Sequence, residues 1–272
     1  MSTVETNGIT LHYTDIGAGR PVVLIHGWPL SGASWSEQFP ALIDGGYRAI
    51  AYDRRGFGAS DKPADGYDYD TMADDLAGLL DALDLHDVTL VGFSMGGGEV
   101  ARYLGRHGSA RIRSAVFAAA VPPFLLTTDD NPEGGLSEEA VEGMIAGVTA
   151  DRDGFLDAFT TDFFSVAGEL VVTAEQREAA LELEKPALDA ALAGCIDAFG
   201  RTDFRADLAS ITVPTLVIHG DSDATVPVEV SGDRTAATVS GAEKVIIEKA
   251  PHGLNVSHAE AFNAALLDFL AR

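Results

Sequence analysis

Short runs of branched and aromatic residues alternate with helix-spaced segments over the first half of this chain. That alternation limits its fold more than any other feature. Residues 22–25, 47–52, 88–91 and 112–121 read as strands, and the most apolar of them have no wet face. Between them, 35–43 looks helical. Residues 71–83 place Met72, Leu76, Leu79, Leu80 and Leu83 at helix spacing, and 98–105 continues as helix. Strands joined by helices run parallel, because a helical crossover returns the chain to the same end of the sheet. The pattern predicts an α/β fold with a mostly parallel central sheet and helices on both faces. Residues 9–13 alternate apolar and polar and read as an outer strand.

The alternation then breaks. Pro122-Pro123 stops the strand, and 137 to about 199 is helical, rich in Ala and Glu, and free of strands in this reading. The alternation returns at 215–218 and 243–248, with a last helix over 259–270. The expected organisation is one domain, 1–272, carrying a helical cap insert over approximately 124–205. A chain of 272 residues is long enough to bury a substantial core.

Eighteen Lys and Arg face 42 Asp and Glu, a net charge of −24. Phosphate backbones and anionic lipid surfaces repel such a protein, so no nucleic-acid or membrane partner is expected. Cys195 is the single cysteine, so no internal disulfide and no Cys-based metal pattern is available. No apolar run approaches the ~18 residues of a membrane span. Residues 1–11 lack the basic and apolar regions of a secretory leader. The expectation is a cytoplasmic protein.

The chemistry concentrates in Gly92-Phe93-Ser94-Met95-Gly96, a GxSxG run between an expected strand and an expected helix. That context defines a nucleophile elbow: a sharp turn between small neighbours lifts the serine hydroxyl above the sheet edge. A serine hydroxyl needs a base, which should come late in the chain, after the acid. His252, in the loop before the last helix, fits; His258 is the rival, at that helix's start. His12, His86 and His107 lie in early peripheral elements, and His219 ends a strand, where structural hydrogen bonds are its ordinary role. The acid should follow the 215–218 strand. Asp221 and Asp223 both stand there, and spacing leans only modestly to Asp223. An oxyanion hole needs two backbone N–H groups. Met95 follows the nucleophile, and Trp28 lies in the loop after the first core strand; Pro29 has no N–H to give.

Together these segments resemble the α/β-hydrolase family. More narrowly, they resemble its bacterial aryl esterases and cofactor-free haloperoxidases, or perhydrolases. The resemblance rests on His26-Gly27-Trp28-Pro29-Leu30, Asp53-Arg54-Arg55-Gly56-Phe57-Gly58, the run from Gly92 to Tyr103, His219-Gly220-Asp221-Ser222-Asp223 and Ala250-Pro251-His252-Gly253-Leu254. It implies the α/β-hydrolase fold, with Ser94 as nucleophile, His252 as base, Asp223 as acid, and oxyanion donors at Trp28 and Met95. The implied activity is cleavage of small carboxylic, especially aryl, esters through an acyl-enzyme. Peroxide replaces water in a side reaction that yields a peracid. No cofactor, metal or haem is implied, and the sequence offers no ligand set for one. The resemblance also suggests a homo-oligomer.

The resemblance is weakest in the insert. Phe155, Phe159 and Phe163 share one helical face, which reads first as packing within the cap. The resemblance raises Phe159, Phe163 and Phe199 as walls of the acyl pocket, and Phe124, just past the two prolines, is a further candidate. A lactone or lactam hydrolase would use the same triad. A ligand receptor with a retained triad is the alternative of another class. Haloalkane dehalogenases and epoxide hydrolases of this fold need Asp at the elbow, where Ser94 stands. Asp53-Arg54-Arg55 reads as a structural turn with a salt bridge. Asp74-Asp75 and Asp129-Asp130 read as solvated faces.

Overall fold

A computed structural model describes residues 2–272. In chain order, β1 (Ser2–Thr6), β2 (Ile9–Gly17) and β3 (Pro21–Ile25) are followed by α1 (Gln38–Asp44), β4 (Arg48–Tyr52), α2 (Tyr69–Ala82), β5 (Val88–Phe93), α3 (Met95–His107) and β6 (Ile112–Ala118). Then come α4 (Glu138–Ala150), α5 (Arg152–Phe163), β7 (Ser165–Val166), β8 (Glu169–Leu170), α6 (Ala174–Glu184), α7 (Asp189–Arg201) and α8 (Arg205–Ala209). The chain closes with β9 (Thr215–Gly220), α9 (Gly232–Thr238), β10 (Glu243–Ile247), α10 (Leu254–Ser257) and α11 (Ala259–Leu270).

Eight strands form one sheet in the order β1-β2-β4-β3-β5-β6-β9-β10. β2 pairs antiparallel with β1 and β4, and the other pairings are parallel. From β3 the chain moves one way to β4, then crosses back to place β5 on the other side of β3. Right-handed crossovers therefore put α1 and α2 on opposite faces, and a crevice opens at the carboxyl ends of β3 and β5, where the direction reverses. Residues of β3 alternate between two cores. Val23 and Ile25 join the aliphatic face of α2, while Val22 and Leu24 join Leu42, Phe262 and Leu266 on the opposite side. Both faces of β3 are thus dry, which is why its sequence carries no polar alternation.

Several boundaries differ from the sequence expectation for local reasons. The strand expected over 112–121 ends at Ala118. Ala119 takes a φ of +42° and turns the chain, and the Val121 N–H then donates to the Ser94 carbonyl. The 137–199 stretch is not free of strands. β7 and β8 form a small hairpin turning on Ala167 and Gly168, both at positive φ, as the tight turn of a two-residue hairpin demands. β1 had no clear pattern of its own and is fixed by pairing with β2. α9, also unforeseen, supplies the crossover that parallel β9 and β10 require. Among the described residues, no helix is long and apolar enough to cross a membrane.

Candidate active site

Ser94 sits between β5 and α3 with φ +53° and ψ −121°, a conformation that costs a non-glycine residue energy. The turn tolerates it because Gly92 and Gly96, two residues to either side, have no side chains. A Cβ on Gly92 would stand 2.4 Å from the Gly96 carbonyl oxygen, and one on Gly96 would stand 2.4 Å from that of Ile25. Strand, turn and helix therefore close to a distance only glycine allows, and the hydroxyl projects from the sheet's carboxyl edge.

Three loops bring three side chains together. Ser94 Oγ lies 2.9 Å from His252 Nε2, and His252 Nδ1 lies 2.7 Å from Asp223 Oδ2. The other carboxylate oxygen, Oδ1, accepts from the backbone N–H of Thr225 (3.0 Å) and Val226 (2.8 Å). Burial alone would push the Asp223 carboxyl up. The His252 and His219 imidazoles outweigh it and hold the group well below the usual carboxylate range. Of the two aspartates left open by spacing, the structure brings Asp223 to His252. Asp221 is exposed and accepts from the Lys249 N–H and the Ser222 hydroxyl, bracing the turn. His258 stands apart at the start of α11, with Ser257 Oγ 2.9 Å from its Nδ1.

Trp28 lies in the loop after β3, and Met95 is the first residue of α3. Among the described residues, neither backbone N–H meets a protein acceptor. Both residues are anchored at other atoms: the Trp28 indole donates to the Leu192 carbonyl (3.2 Å), and Tyr69 Oη donates to the Met95 carbonyl (3.0 Å). Two amides held in place with nothing to bond are what a developing oxyanion needs.

A cavity of about 50 Å³ opens above Ser94. Phe159 and Phe199 line it with Trp28. Phe163 and Phe124 do not. Phe163, one turn further along α5, packs edge-on against the His252 ring at 5.0 Å and also against Phe93. Phe124 lies beneath the Arg205 guanidinium, outside the cavity lining. The remaining walls include Val121, Leu125, Leu136, Met144, Thr225 and Val226. Thr225 and Val226 follow Asp223 so closely that the acid loop itself marked them. The aliphatic residues carry no pattern separating a pocket wall from ordinary core. Among the described residues, no group of three or more His, Cys, Asp or Glu is arranged to hold a metal.

With this geometry in view, residues 20–259 match the family described as the alpha/beta hydrolase fold. The chain belongs to the α/β-hydrolase family. It is 46% identical over 268 residues to a non-heme chloroperoxidase of Kitasatospora aureofaciens, covering 97% of each chain. It is 35% identical over 280 residues to a bifunctional esterase/perhydrolase of Acinetobacter calcoaceticus, covering 99% of each. It superposes on the crystal structure of a bromoperoxidase from Bacillus anthracis with a TM-score of 0.96 and 50% identity, over the full length of both.

In this hydrolase the loop bearing Trp28 rests on a buried ionic network. Arg54 Nε donates to Glu99 Oε2 at 2.8 Å, Arg54 Nη2 donates to the His26 carbonyl at 2.8 Å, and Tyr52 Oη donates to Glu99 Oε1. His26 Nε2 accepts the Arg54 backbone N–H at 3.0 Å, leaving Nδ1 to donate to the Gly27 carbonyl at 2.8 Å. The network ties α3, which begins at the nucleophile, to the loop after β3. Burial holds the Glu99 carboxyl well above its ordinary range. Arg55 grips Asp75 through two bonds of 2.6 Å. The DRR turn is therefore braced by two ion pairs. Asp75 is a buried partner rather than part of a solvated face, because α2 turns it inward toward Arg55. Cys195 is fully buried near Arg54, and burial pushes its thiol up to about 12.

Proposed function

We propose that this chain cleaves small carboxylic esters, aryl esters in particular, through an acyl-enzyme on Ser94, and that hydrogen peroxide can take the place of water in the second half-reaction. The observation that carries the reading is the continuous hydrogen-bond chain from Ser94 Oγ through His252 to Asp223, at 2.9 and 2.7 Å, at the foot of a narrow apolar cavity.

Ser94 Oγ attacks the ester carbonyl while His252 Nε2 takes its proton. Asp223 holds the imidazole with its other proton on Nδ1 and stabilises the imidazolium. The Trp28 and Met95 amides receive the oxyanion. The C–O bond to the leaving group then breaks, and His252 returns the proton to the departing alcohol or phenol. Water, deprotonated by His252, releases the acid and restores Ser94. Hydrogen peroxide attacking in the same way releases a peracid, which can oxidise a halide to hypohalite while becoming the carboxylic acid. The names of the chloroperoxidase, bromoperoxidase and esterase/perhydrolase relatives support both branches.

The elements between β6 and β9, roughly 124–205, act in this reading as a cap that walls the acyl side. A cavity of about 50 Å³ favours acetyl-sized groups. The acidic surface and single buried thiol suit the cytoplasm.

The test is p-nitrophenyl acetate turnover by the wild type and by Ser94→Ala, followed by peracid formation as peroxide is raised. Rapid turnover lost in the variant is expected. Turnover that survives the substitution would sink the acyl-enzyme mechanism.

A further inference from the structure

We infer that His219 is a positioning residue for the catalytic acid, seated beside its carboxylate and bonded to the loop that carries it, and that it weakens the hold of Asp223 on the His252 imidazole. This rests on the assignment of Ser94, His252 and Asp223 proposed above.

Asp223 Oδ2 is shared between two imidazoles. His252 Nδ1 stands 2.7 Å from it and His219 Nε2 stands 3.2 Å from it. His219 Nε2 is also 2.9 Å from the Val226 carbonyl oxygen. Both neighbours of that nitrogen are acceptors, so it carries the proton; the N–H bonds the Val226 carbonyl and lies beside Asp223 Oδ2. The far nitrogen, Nδ1, is buried with no partner and is pressed against Gly232, where a Cβ would come within 2.6 Å. Ring rotation would bring carbon, not N–H, to the carboxylate. A fully buried ring in a single orientation, with its N–H on the Val226 carbonyl and beside the carboxylate, is a built contact.

The same N–H also pins Val226, whose own backbone N–H donates to Asp223 Oδ1 and whose side chain lines the acyl cavity. His219 thus closes a ring of hydrogen bonds around the loop that carries the acid. Chemically, each donor on a carboxylate oxygen draws off charge and makes it a weaker partner for the next. His219 therefore weakens Asp223 Oδ2 as a partner for the His252 imidazole.

Other charged groups do not account for this. On α9, packed against β9, Asp233 pairs with Lys244 and Arg234 reaches Glu133 and Asn131. On the β10 side, the Lys249 backbone engages Asp221. The surfaces of β6 and α5 facing the relay present Ala118, Phe163 and other apolar groups. Among the described residues, only His252 and His219 bring a titratable side chain to Asp223.

The experiment is the pH dependence of kcat/KM for p-nitrophenyl acetate in the wild type, His219→Leu and His219→Gln. The Gln amide nitrogen reaches the position of Nε2 and keeps the donor. His219→Leu is expected to move the acid limb upward by about 0.5–1 pH unit, a loss of roughly three- to tenfold below the limb that closes on the plateau. His219→Gln should track the wild type. A uniform loss at every pH with the limb unmoved would overturn the proposal. Should His219→Leu not fold, histidine ¹⁵N spectra of the wild type decide the same point. His219 protonated on Nε2, with that proton shifted by Asp223→Asn, supports it; a proton on Nδ1 overturns it. Absence of any wild-type turnover would instead count against the ester-hydrolase reading, and the spectra would still decide the His219 contact.

Discussion

Ser94, Asp223 and His252 stand on turns that leave parallel strands, whereas Phe159 and Phe199 stand on helices with no strand beneath them. The first group is placed by backbone. Register fixes where β5, β9 and β10 end, glycines set the elbow, and main-chain N–H groups hold the Asp223 loop. The second group is placed by side chains packing on one another: Phe159 meets the Trp28 ring at 4.9 Å and Phe199 meets it at 6.0 Å. Backbone-placed groups tolerate little change, because every alternative clashes or strands a polar group. Groups placed by apolar packing admit neighbours of other sizes at modest loss. In the proposed reaction, chemistry and selectivity would thus live in parts of the molecule with different tolerance to substitution.

The sharpest way to break this contrast is to alter the acid. Asp223→Asn is expected to lower kcat by about 10⁴-fold, because the amide favours the wrong imidazole tautomer. Asp221→Asn should stay within a few-fold of wild type in the same assay, since it braces a turn. The reverse result would move the acid to Asp221. Next in size, Arg54→Met should lower stability in urea unfolding by about 3–5 kcal/mol, by leaving Glu99 buried without its cation. The double substitution Arg54→Met with Glu99→Leu should recover much of that. Failure to recover would mean that the guanidinium bond to the His26 carbonyl, not the ion pair, is what matters.

Within the cap the expected effects shrink. Burial pushes the Glu184 carboxyl on α6 up to about 7; Thr160 Oγ1, on α5, donates to its Oε1 at 2.6 Å, and Oε2 has no partner. Its affinity for a proton is thus higher in the folded chain than in the unfolded one, whose value is near 4.5. The stability it contributes is complete below 4.5 and is lost as pH rises through 7, up to about 3 kcal/mol. Glu184→Gln should flatten that fall in thermal unfolding measured from pH 5 to 8. An unchanged slope would place the titration elsewhere. Smallest of all, Phe159→Ala should widen the acyl cavity and raise the butyrate-to-acetate ratio of kcat/KM by about tenfold, leaving the pH profile alone. An unchanged ratio would remove Phe159 from the acyl wall.

The same contrast explains what could be read from the sequence. The elbow, the His252 loop and the Asp221/Asp223 turn were legible because turn chemistry is local: glycines, a serine and an aspartate at fixed offsets report their own backbone. The alternation of strands and helices was legible for the same reason, in the apolar periodicity of segments such as 71–83. Spacing alone did not choose between Asp221 and Asp223, since that depends on which carboxylate the later loop reaches. Nor did periodicity separate Phe159 from Phe163. They lie one turn apart on α5, and which of them meets the cavity depends on how that helix is set against β5 and the His252 loop. Asp75 was misjudged because its partner, Arg55, lies outside α2, in a loop 20 residues away.

Cys195 has one more consequence. Oxidants attack thiolates far faster than thiols, and burial beside Arg54 keeps this sulfur protonated and out of contact with solvent. The chain therefore presents peroxide with no sulfenic-acid precursor and no thiol for intermolecular cross-linking. Its shelf life in oxidising buffer is set by other residues.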